Sequence, residues 1–194
     1  MKIGLIGFGR TGKAVAAAIL ENKEFSLEWV YRRKTLLENR SIAEFLGIES
    51  DENGRIFSSE HITIDELLDR HAVDFIIDFS SSTGIYSYGK AAASRGVKII
   101  SAISHYQKED IAFLKKLAKE TTVFWSPNIT LGVNFLLLAS KSLKKIAPYV
   151  DIEVIEEHFK QKQGVSGTAV KIAEALELKS SKINSIRAGG IVGK

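Results

Sequence analysis

The chain has 194 residues, of which 45% are hydrophobic and 26% charged, with a formal net charge of +4 and no cysteine. This composition can bury a sizeable core, which excludes a disordered or fibrous protein. The missing cysteines exclude a disulfide scaffold, thiolate metal sites and cysteine nucleophiles. At roughly 150 residues per domain, the length favours one domain plus a smaller second one.

The distribution of charged and apolar residues predicts the cellular location of the protein and the class of ligand that it binds. No apolar run approaches the ~20 residues of a membrane span, and the strand-like start does not resemble a signal peptide. The basic residues are scattered, without the interleaved aromatic residues that stack on nucleic-acid bases. We therefore expect a cytoplasmic protein that binds neither membranes nor nucleic acid, whose positive charge favours small anions. The isolated histidines predict no metal site.

Strand-like apolar runs alternate with amphipathic helical segments through the first two thirds of the chain, which is typical of βαβ units and a parallel sheet. The predicted strands are residues 3–6, 27–31, 73–78, 97–101 and 122–125. The predicted helices are residues 13–20, 41–46, 64–70, 83–94 and 108–120. Residues 49–54 are polar and predict an exposed loop.

The pattern changes after Pro127-Asn128. A long apolar helix is predicted at residues 131–146, followed by a strand at 152–156 and a helix at 168–176. We therefore predict an α/β protein with a Rossmann-type doubly wound parallel sheet in residues 1–128 and a smaller α+β domain in residues 129–194.

A glycine-rich motif follows the first predicted strand and opens the first helix. Its residues match G-x-G-x-x-G and are Gly7, Phe8, Gly9, Arg10, Thr11 and Gly12. Gly7 permits a tight turn, Gly9 lacks the Cβ that would block a pyrophosphate, and Gly12 allows close packing of helix and strand. The motif predicts a dinucleotide-binding site, and the alternative is a glycine-rich turn without a ligand.

The second predicted strand ends in Tyr31-Arg32-Arg33-Lys34. NAD-binding proteins usually place an acidic residue there, about 20 residues after the motif, to bind the ribose. Here Arg32 and Arg33 offer guanidinium groups that can bind a 2′-phosphate. We therefore predict NADPH as the preferred cofactor, with NADH possible, against the alternative of a solvated basic loop.

A second polar cluster follows the predicted strand at residues 152–156. A histidine such as His158 can donate a proton near neutral pH. Lys162 adds a permanent cation, and Ser166 or Thr168, with the first N–H groups of a helix, can bind a carboxylate. The cluster predicts an anion-binding, proton-donating pocket, and the alternative is an exposed polar loop with a helix cap.

With these motifs, nearly the whole chain resembles the dihydrodipicolinate reductase (4-hydroxy-tetrahydrodipicolinate reductase) family. The segments that carry the resemblance are residues 7–12, 78–80, 126–129 with 132–134, 157–158 with 162, 166–169 and 186–193. The resemblance implies an NAD(P)H-dependent oxidoreductase of lysine and diaminopimelate biosynthesis, assembled as a homotetramer. It also implies that residues 129–194 form the substrate-binding and oligomerisation domain.

The resemblance implies roles for individual residues. His158 matches the acid that protonates the substrate after hydride addition, and Lys162 matches the lysine of the same signature. Ser166, Gly167 and Thr168 match the loop that holds a carboxylate of the dicarboxylate substrate. The remaining implied cofactor contacts are Phe79, Ser80, Ser101, Ser126 and Asn128.

The chain departs from the family pattern at several places. Phe159 stands where the family usually has a second histidine, and residues 163–165 are one residue shorter and lack an acid and a proline. Residues 101–104 replace a Gly-Thr-Thr-Gly segment beside the nicotinamide. Family members commonly continue beyond Gly193, so we expect the second domain to be incomplete. The alternatives are another two-domain nicotinamide oxidoreductase, such as an amino-acid or aspartate dehydrogenase, and a catalytically poor cofactor-binding module.

Overall fold

The computed structural model describes residues 1–51, 54–104, 106–127, 129–191 and 193. The chain forms two compact units, Met1–Pro127 and Asn128–Lys194. Among the described helices, none combines the length and apolar character needed to cross a membrane.

The first unit is a six-stranded sheet with helices, and every strand pair in it is parallel. Its strands are β1 (Lys2–Ile6), β2 (Ser26–Arg32), β3 (Arg55–Ser58), β4 (Phe75–Asp78), β5 (Lys98–Ser101) and β6 (Val123–Trp125). Its helices are α1 (Arg10–Leu20), α2 (Ile42–Leu46), α3 (Ile64–Arg70), α4 (Ile85–Ser94) and α5 (Lys108–Leu117). The strand order β3-β2-β1-β4-β5-β6 confirms the predicted Rossmann-type fold.

Apolar residues fill both faces of this sheet, as a parallel sheet covered by helices requires. Trp29 and Tyr31 of β2 belong to one core cluster, together with residues of α3, α4 and α5. Val30, between them, belongs to the other cluster, with residues of α1 and α2. Because alternate side chains of a strand point to opposite faces, the two clusters lie on the two faces of the sheet.

The strand order reverses at β1, which lies between β2 and β4. Ile6 at the end of β1 is in register with Tyr31 of β2 and with Asp78 of β4. The carboxyl ends of these strands therefore meet at one edge of the sheet. Ligands of doubly wound sheets bind in the crevice outside such a reversal point.

The second unit contains α6 (Leu131–Ile146), β7 (Val154–His158), α7 (Gly167–Ala175), a short 3-10 helix (Ser180–Lys182) and β8 (Ile183–Arg187). β7 and β8 form a parallel two-stranded sheet. Its small core contains Val154 of β7 and two alanines of α7, Ala169 and Ala173. None of the residues of α6 is buried.

The structure corrects several predicted elements. β3 was not predicted as a strand, because only Ile56 and Phe57 of its four residues are apolar. β8 was not predicted as a strand, since polar residues alternate with its two isoleucines. Helix α1 begins at Arg10 rather than at residue 13, directly after Gly9. β7 extends to His158, so this histidine is the last residue of the strand and does not follow it.

Candidate functional site

The glycine-rich motif forms the turn between β1 and α1. Gly7 has a φ of +92°, which favours glycine, and a Cβ built on it would lie 2.9 Å from the backbone of Phe79. A Cβ on Gly12 would lie 2.2 Å from the carbonyl oxygen of Gly7. In contrast, apart from Gly9 and its two chain neighbours, no atom of the described residues lies within 4 Å of a Cβ built on Gly9. Gly7 and Gly12 are therefore required by the fold itself, whereas the space above Gly9 is open.

The start of α1 supplies hydrogen-bond donors next to this open space. The first helical hydrogen bond runs from the N–H of Lys13 to the carbonyl of Gly9. The N–H groups of the three preceding residues therefore point out of the helix end, where the helix dipole also favours negative charge. This arrangement suits a phosphate group.

A cleft of about 590 Å³ opens at the reversal point of the sheet. Seven of the proposed cofactor contacts line it: Gly7, Phe8, Gly9, Arg32, Arg33, Phe79 and Ser80. The side chain of Phe8 is buried, and its ring centre lies 5.6 Å from that of Phe45. An adjoining cavity of about 340 Å³ is lined by Thr11 and Ser104, among others.

The basic end of β2 lies on the same cleft. Arg32, Arg33, Lys34 and Ser59 all line it. The Arg32 guanidinium donates a 3.0 Å hydrogen bond to the carbonyl of Leu36, which fixes the side chain against the following loop. The exposed Arg33 is held at its backbone, since its carbonyl accepts a 3.0 Å hydrogen bond from the Ser58 hydroxyl. The cleft is therefore positively charged on this side.

Asp78 anchors the opposite side of the cleft. Its Oδ1 accepts hydrogen bonds from both the N–H (2.8 Å) and the hydroxyl (2.6 Å) of Ser80. Its Oδ2 accepts a 2.9 Å bond from the hydroxyl of Tyr88. Burial raises the pKa of the Asp78 carboxyl, although these hydrogen bonds act in the opposite direction. The buried carboxyl thus fixes the turn that carries Phe79 and Ser80 beside Gly7.

The remaining proposed cofactor contacts lie elsewhere or outside the described residues. Ser101 has a fully buried side chain whose hydroxyl lies 2.9 Å from that of Tyr106, so this hydroxyl is directed into the core and not towards the cleft. Ser126 follows β6 and donates from its N–H to the carbonyl of Ser101 at 3.1 Å. Arg10 is exposed in the first turn of α1. Asn128 lies outside the described residues.

Another cavity of the first unit, of about 520 Å³, is a weaker candidate for the ligand-binding site. Its lining includes Ser26 at the start of β2 and Arg55 at the start of β3. It therefore opens at the amino ends of the strands, whereas ligands of such sheets bind at the carboxyl ends.

In the second unit, a buried carboxylate organises the predicted polar cluster. Oε2 of Glu156 lies 2.5 Å from Nδ1 of His158, and Oε1 accepts a 2.6 Å hydrogen bond from the hydroxyl of Ser185. The Arg187 guanidinium donates to both oxygens, at 2.5 and 3.0 Å. Burial raises the pKa of Glu156, but the hydrogen bonds from Arg187, Ser185 and His158 outweigh it and lower the pKa to about 2.

The same cluster reaches the proposed substrate-binding residues. Ser166 is the N-cap of α7 and its N–H donates to Oε1 of Glu156 at 3.3 Å, with Gly167 and Thr168 following in the first turn. Arg187 donates to the backbone carbonyls of Lys162 (3.1 Å) and Gly164 (2.6 Å). The structure thus gathers His158, Lys162 and the start of α7 around one ion pair.

The outer edge of the His158 ring lies against Gly193. A Cβ built on Gly193 would lie 2.5 Å from Nε2 of His158, so a side chain at this position would collide with the ring. Phe159, which replaces a histidine of the family pattern, follows the strand and is 44% exposed.

Sequence reasoning missed Glu156, Ser185 and Arg187 as parts of this cluster. Glu156 and His158 are two residues apart on one strand, a spacing that places both side chains on the same face. That signal was present in the sequence. The pairing of Glu156 with Ser185 and Arg187 could not be predicted from the sequence, because it depends on the parallel register of β7 with β8. In that register Glu156 is opposite Ser185, and His158 is opposite Arg187.

Comparison with known proteins decides the family. The family model described as "Dihydrodipicolinate reductase, N-terminus" matches residues 1–129, and "Dihydrodipicolinate reductase, C-terminus" matches residues 132–194. The chain belongs to the dihydrodipicolinate reductase family. The resemblance drawn from the sequence motifs is therefore confirmed.

Two relatives of the family are both named 4-hydroxy-tetrahydrodipicolinate reductase. The protein of Caldanaerobacter subterraneus subsp. tengcongensis is 28% identical over 170 residues, which cover 87% of this chain and 59% of that protein. The protein of Lawsonia intracellularis is 30% identical over 195 residues, covering 96% of this chain and 69% of that protein. The chain thus spans about 60 to 70% of the length of these two relatives.

Solved structures agree on the fold. A dipicolinate-bound dihydrodipicolinate reductase from Paenisporosarcina sp. TG-14 matches with a TM-score of 0.69 and 19% identity, covering 100% of this chain and 80% of that chain. An apo scyllo-inositol dehydrogenase from Lactobacillus casei matches with a TM-score of 0.57 and 16% identity, covering 82% of this chain and 46% of that chain. At these identities the likeness concerns the fold alone.

Proposed function

We propose that the protein reduces 4-hydroxy-tetrahydrodipicolinate to tetrahydrodipicolinate with NADPH, as a step of lysine and diaminopimelate biosynthesis. The observation that carries the proposal is the family match, which runs through both units and includes the glycine turn of the first and the His158 cluster of the second. The named relatives support the same activity.

The first unit would hold the dinucleotide in the cleft of about 590 Å³. The pyrophosphate would lie over Gly9, against the N–H groups of Arg10, Thr11 and Gly12. Arg32 and Arg33 would bind the 2′-phosphate, which is the basis for preferring NADPH to NADH. Phe79 and Ser80 would border the bound cofactor, with Ser126 and Asn128 as further contacts. Ser101 is left out because its hydroxyl is engaged with Tyr106.

The second unit would bind the cyclic dicarboxylate substrate. Ser166, Gly167 and Thr168, at the start of α7, would receive a carboxylate, and Lys162 would supply positive charge beside it. His158 would donate the proton that completes the reduction.

The reaction balances with one hydride, one proton and the loss of water. When bound, the reduced nicotinamide supplies the hydride and leaves as its oxidised form. The imidazolium of His158 would give its proton to the substrate, and the hydroxyl group of the substrate would leave as water. The fixed cations and helix N–H groups would stabilise the negative charge of the dicarboxylate throughout.

An activity assay with the whole chain tests the proposal. The chain is mixed with freshly generated 4-hydroxy-tetrahydrodipicolinate, and NADPH consumption and product mass are followed. We expect turnover, and we expect His158→Gln to lower it by about 100-fold or more while leaving NADPH affinity unchanged. Oxidation of aspartate or another amino acid instead would favour a different dehydrogenase, and NADPH binding without turnover would favour a cofactor-binding module. Assembly as a homotetramer stays a prediction, which analytical ultracentrifugation tests.

A further inference from the structure

The carboxylate of Glu156 touches two of the groups that the proposed function requires. Its Oε2 pairs with Nδ1 of His158 at 2.5 Å, and its Oε1 accepts from the N–H of Ser166 at 3.3 Å. The side chain of Glu156 is only 3% exposed. A single buried group therefore fixes both the proposed proton donor and the start of α7.

Arg187 extends this arrangement to the loop that carries Lys162. Besides its two bonds to Glu156, the guanidinium donates to the carbonyls of Lys162 and Gly164. A planar guanidinium binds a carboxylate and nearby carbonyls in a fixed geometry. The ion pair of Glu156 and Arg187 thus connects the ring, the lysine loop and the helix start.

We propose that Glu156 is a positioning residue that holds His158 by Nδ1, so that Nε2 is the nitrogen that delivers the proton, and that Arg187 fixes Glu156 in this role. The role of His158 in proton delivery rests on the proposed function. The orientation of its ring rests on the contacts alone.

The protonation states of the pair support this assignment. With a pKa of about 2, Glu156 is ionised at neutral pH and only accepts hydrogen bonds. The ring must then present a hydrogen on Nδ1 to this acceptor, which leaves Nε2 as the nitrogen that Glu156 does not engage. The charged groups recorded beside the ring are Glu156 on its own strand and Arg187 on β8.

Gly193 lies beside the edge of the ring that Glu156 does not contact. A Cβ built at this position would lie 2.5 Å from Nε2. A side chain there would therefore collide with the nitrogen that Glu156 does not hold.

Nitrogen NMR on the whole chain, labelled at histidine and recorded at alkaline pH, tests the orientation directly. The His158 signals are assigned by their loss in His158→Gln. We expect the wild-type ring to carry its hydrogen on Nδ1. Glu156→Gln should shift the ring towards a mixture of the two tautomers, because a neutral amide presents a donor as well as an acceptor. A wild-type ring with its hydrogen on Nε2 would overturn the proposal, and this measurement needs no variant of Glu156 to fold.

The matched control is Glu157→Gln, the same change one residue later, where strand alternation places the side chain on the other face. We expect it to leave the His158 tautomer unchanged.

In the activity assay, Glu156→Gln should lower kcat by about 10 to 100-fold with the affinity for NADPH unchanged. Glu157→Gln should keep the wild-type kcat. Equal loss in both variants would overturn the positioning role. A wild-type chain with the Nδ1 tautomer but no turnover would contradict the proposed function and still support the orientation of the ring.

Discussion

The carbonyl oxygen of Gly7 occupies the space that a side chain on Gly12 would need, with only 2.2 Å between it and the position of a Cβ. This contact joins the turn after β1 to the first helical residues of α1. Gly9, two residues after Gly7, has no such neighbour among the described residues. The three glycines of one motif therefore have different roles: Gly7 and Gly12 form the turn, and Gly9 leaves space above it.

This difference predicts opposite results for two alanine substitutions. Gly12→Ala should lower both the melting temperature and NADPH affinity, because the turn and α1 must move apart. Gly9→Ala should keep the melting temperature near the wild-type value, since its φ of −77° is open to alanine and nothing packs against it. It should nevertheless weaken NADPH binding, by about 10-fold or more for a loss of about 1.4 kcal/mol.

Thermal unfolding and calorimetric titration with NADPH measure both quantities on the same samples. Unchanged NADPH affinity in Gly9→Ala would contradict a pyrophosphate above this glycine. A stable Gly12→Ala variant would contradict the close contact with Gly7.

The two arginines at the end of β2 predict cofactor preference. Replacing either Arg32 or Arg33 by alanine should raise the KM for NADPH by about 10 to 100-fold, if the lost charge-assisted bond contributes about 1.5–3 kcal/mol. The KM for NADH should change little, because NADH lacks the 2′-phosphate. Lys23→Ala removes one cation just before the amino end of β2, the opposite end of the strand, and serves as the control for net charge. Equal effects on the two cofactors would rule out the arginines as the selector.

Most of the first unit could be predicted from the sequence because its strands are strongly apolar. β2 and β4 each bury large side chains, among them Trp29 and Ile76, so their pattern is clear. β3 was missed because it is short and begins and ends with polar residues, and Ser58 is buried only through contacts made after folding. Such a strand is defined by its neighbour β2 and not by its own composition.

The site was predictable where the chemistry lies in consecutive residues. The glycine motif and the basic end of β2 each form one continuous segment, and the structure places both on one cleft. The cluster around Glu156 combines residues up to 31 positions apart, which only the register of β7 with β8 brings together. Ser101 illustrates a different limit: the resemblance implies a role for this position, but sequence alone does not show that its buried hydroxyl pairs with Tyr106.

Removing the hydroxyl of Tyr88 should destabilise the first unit. Tyr88→Phe leaves Oδ2 of the buried Asp78 without this donor, and we expect a loss of about 1–3 kcal/mol in the free energy of unfolding. Because burial already raises the pKa of Asp78, ionisation of this group opposes folding as pH rises through that pKa. The loss should therefore be larger at neutral pH than in acid.

Urea unfolding followed by tryptophan fluorescence measures this effect, since both tryptophans, Trp29 and Trp125, lie in the first unit. Tyr86→Phe is the matched control: its hydroxyl donates to Asp110 at 2.6 Å, but the residue is 47% exposed and should cost less. Equal losses in the two variants would show that Asp78 has no special dependence on Tyr88.

Acid should destabilise the second unit through Glu156. Its pKa of about 2 lies below the ordinary value of 4.5, so the ionised carboxylate favours the folded state. This contribution is fully present above about pH 4.5 and is lost as pH falls through about 2; a difference of this size corresponds to about 3 kcal/mol. In Glu156→Gln the acid-dependent part should disappear, whereas Glu157→Gln should retain it. Arg187→Met should lower the free energy of unfolding by about 3–5 kcal/mol at neutral pH, because it leaves a buried carboxylate without its main partner.

Methyl NMR signals of Val154 and Ile183, which belong to the core of this unit, report its unfolding separately from the tryptophans. An acid transition of those signals that is unchanged in Glu156→Gln would show that another carboxylate controls it.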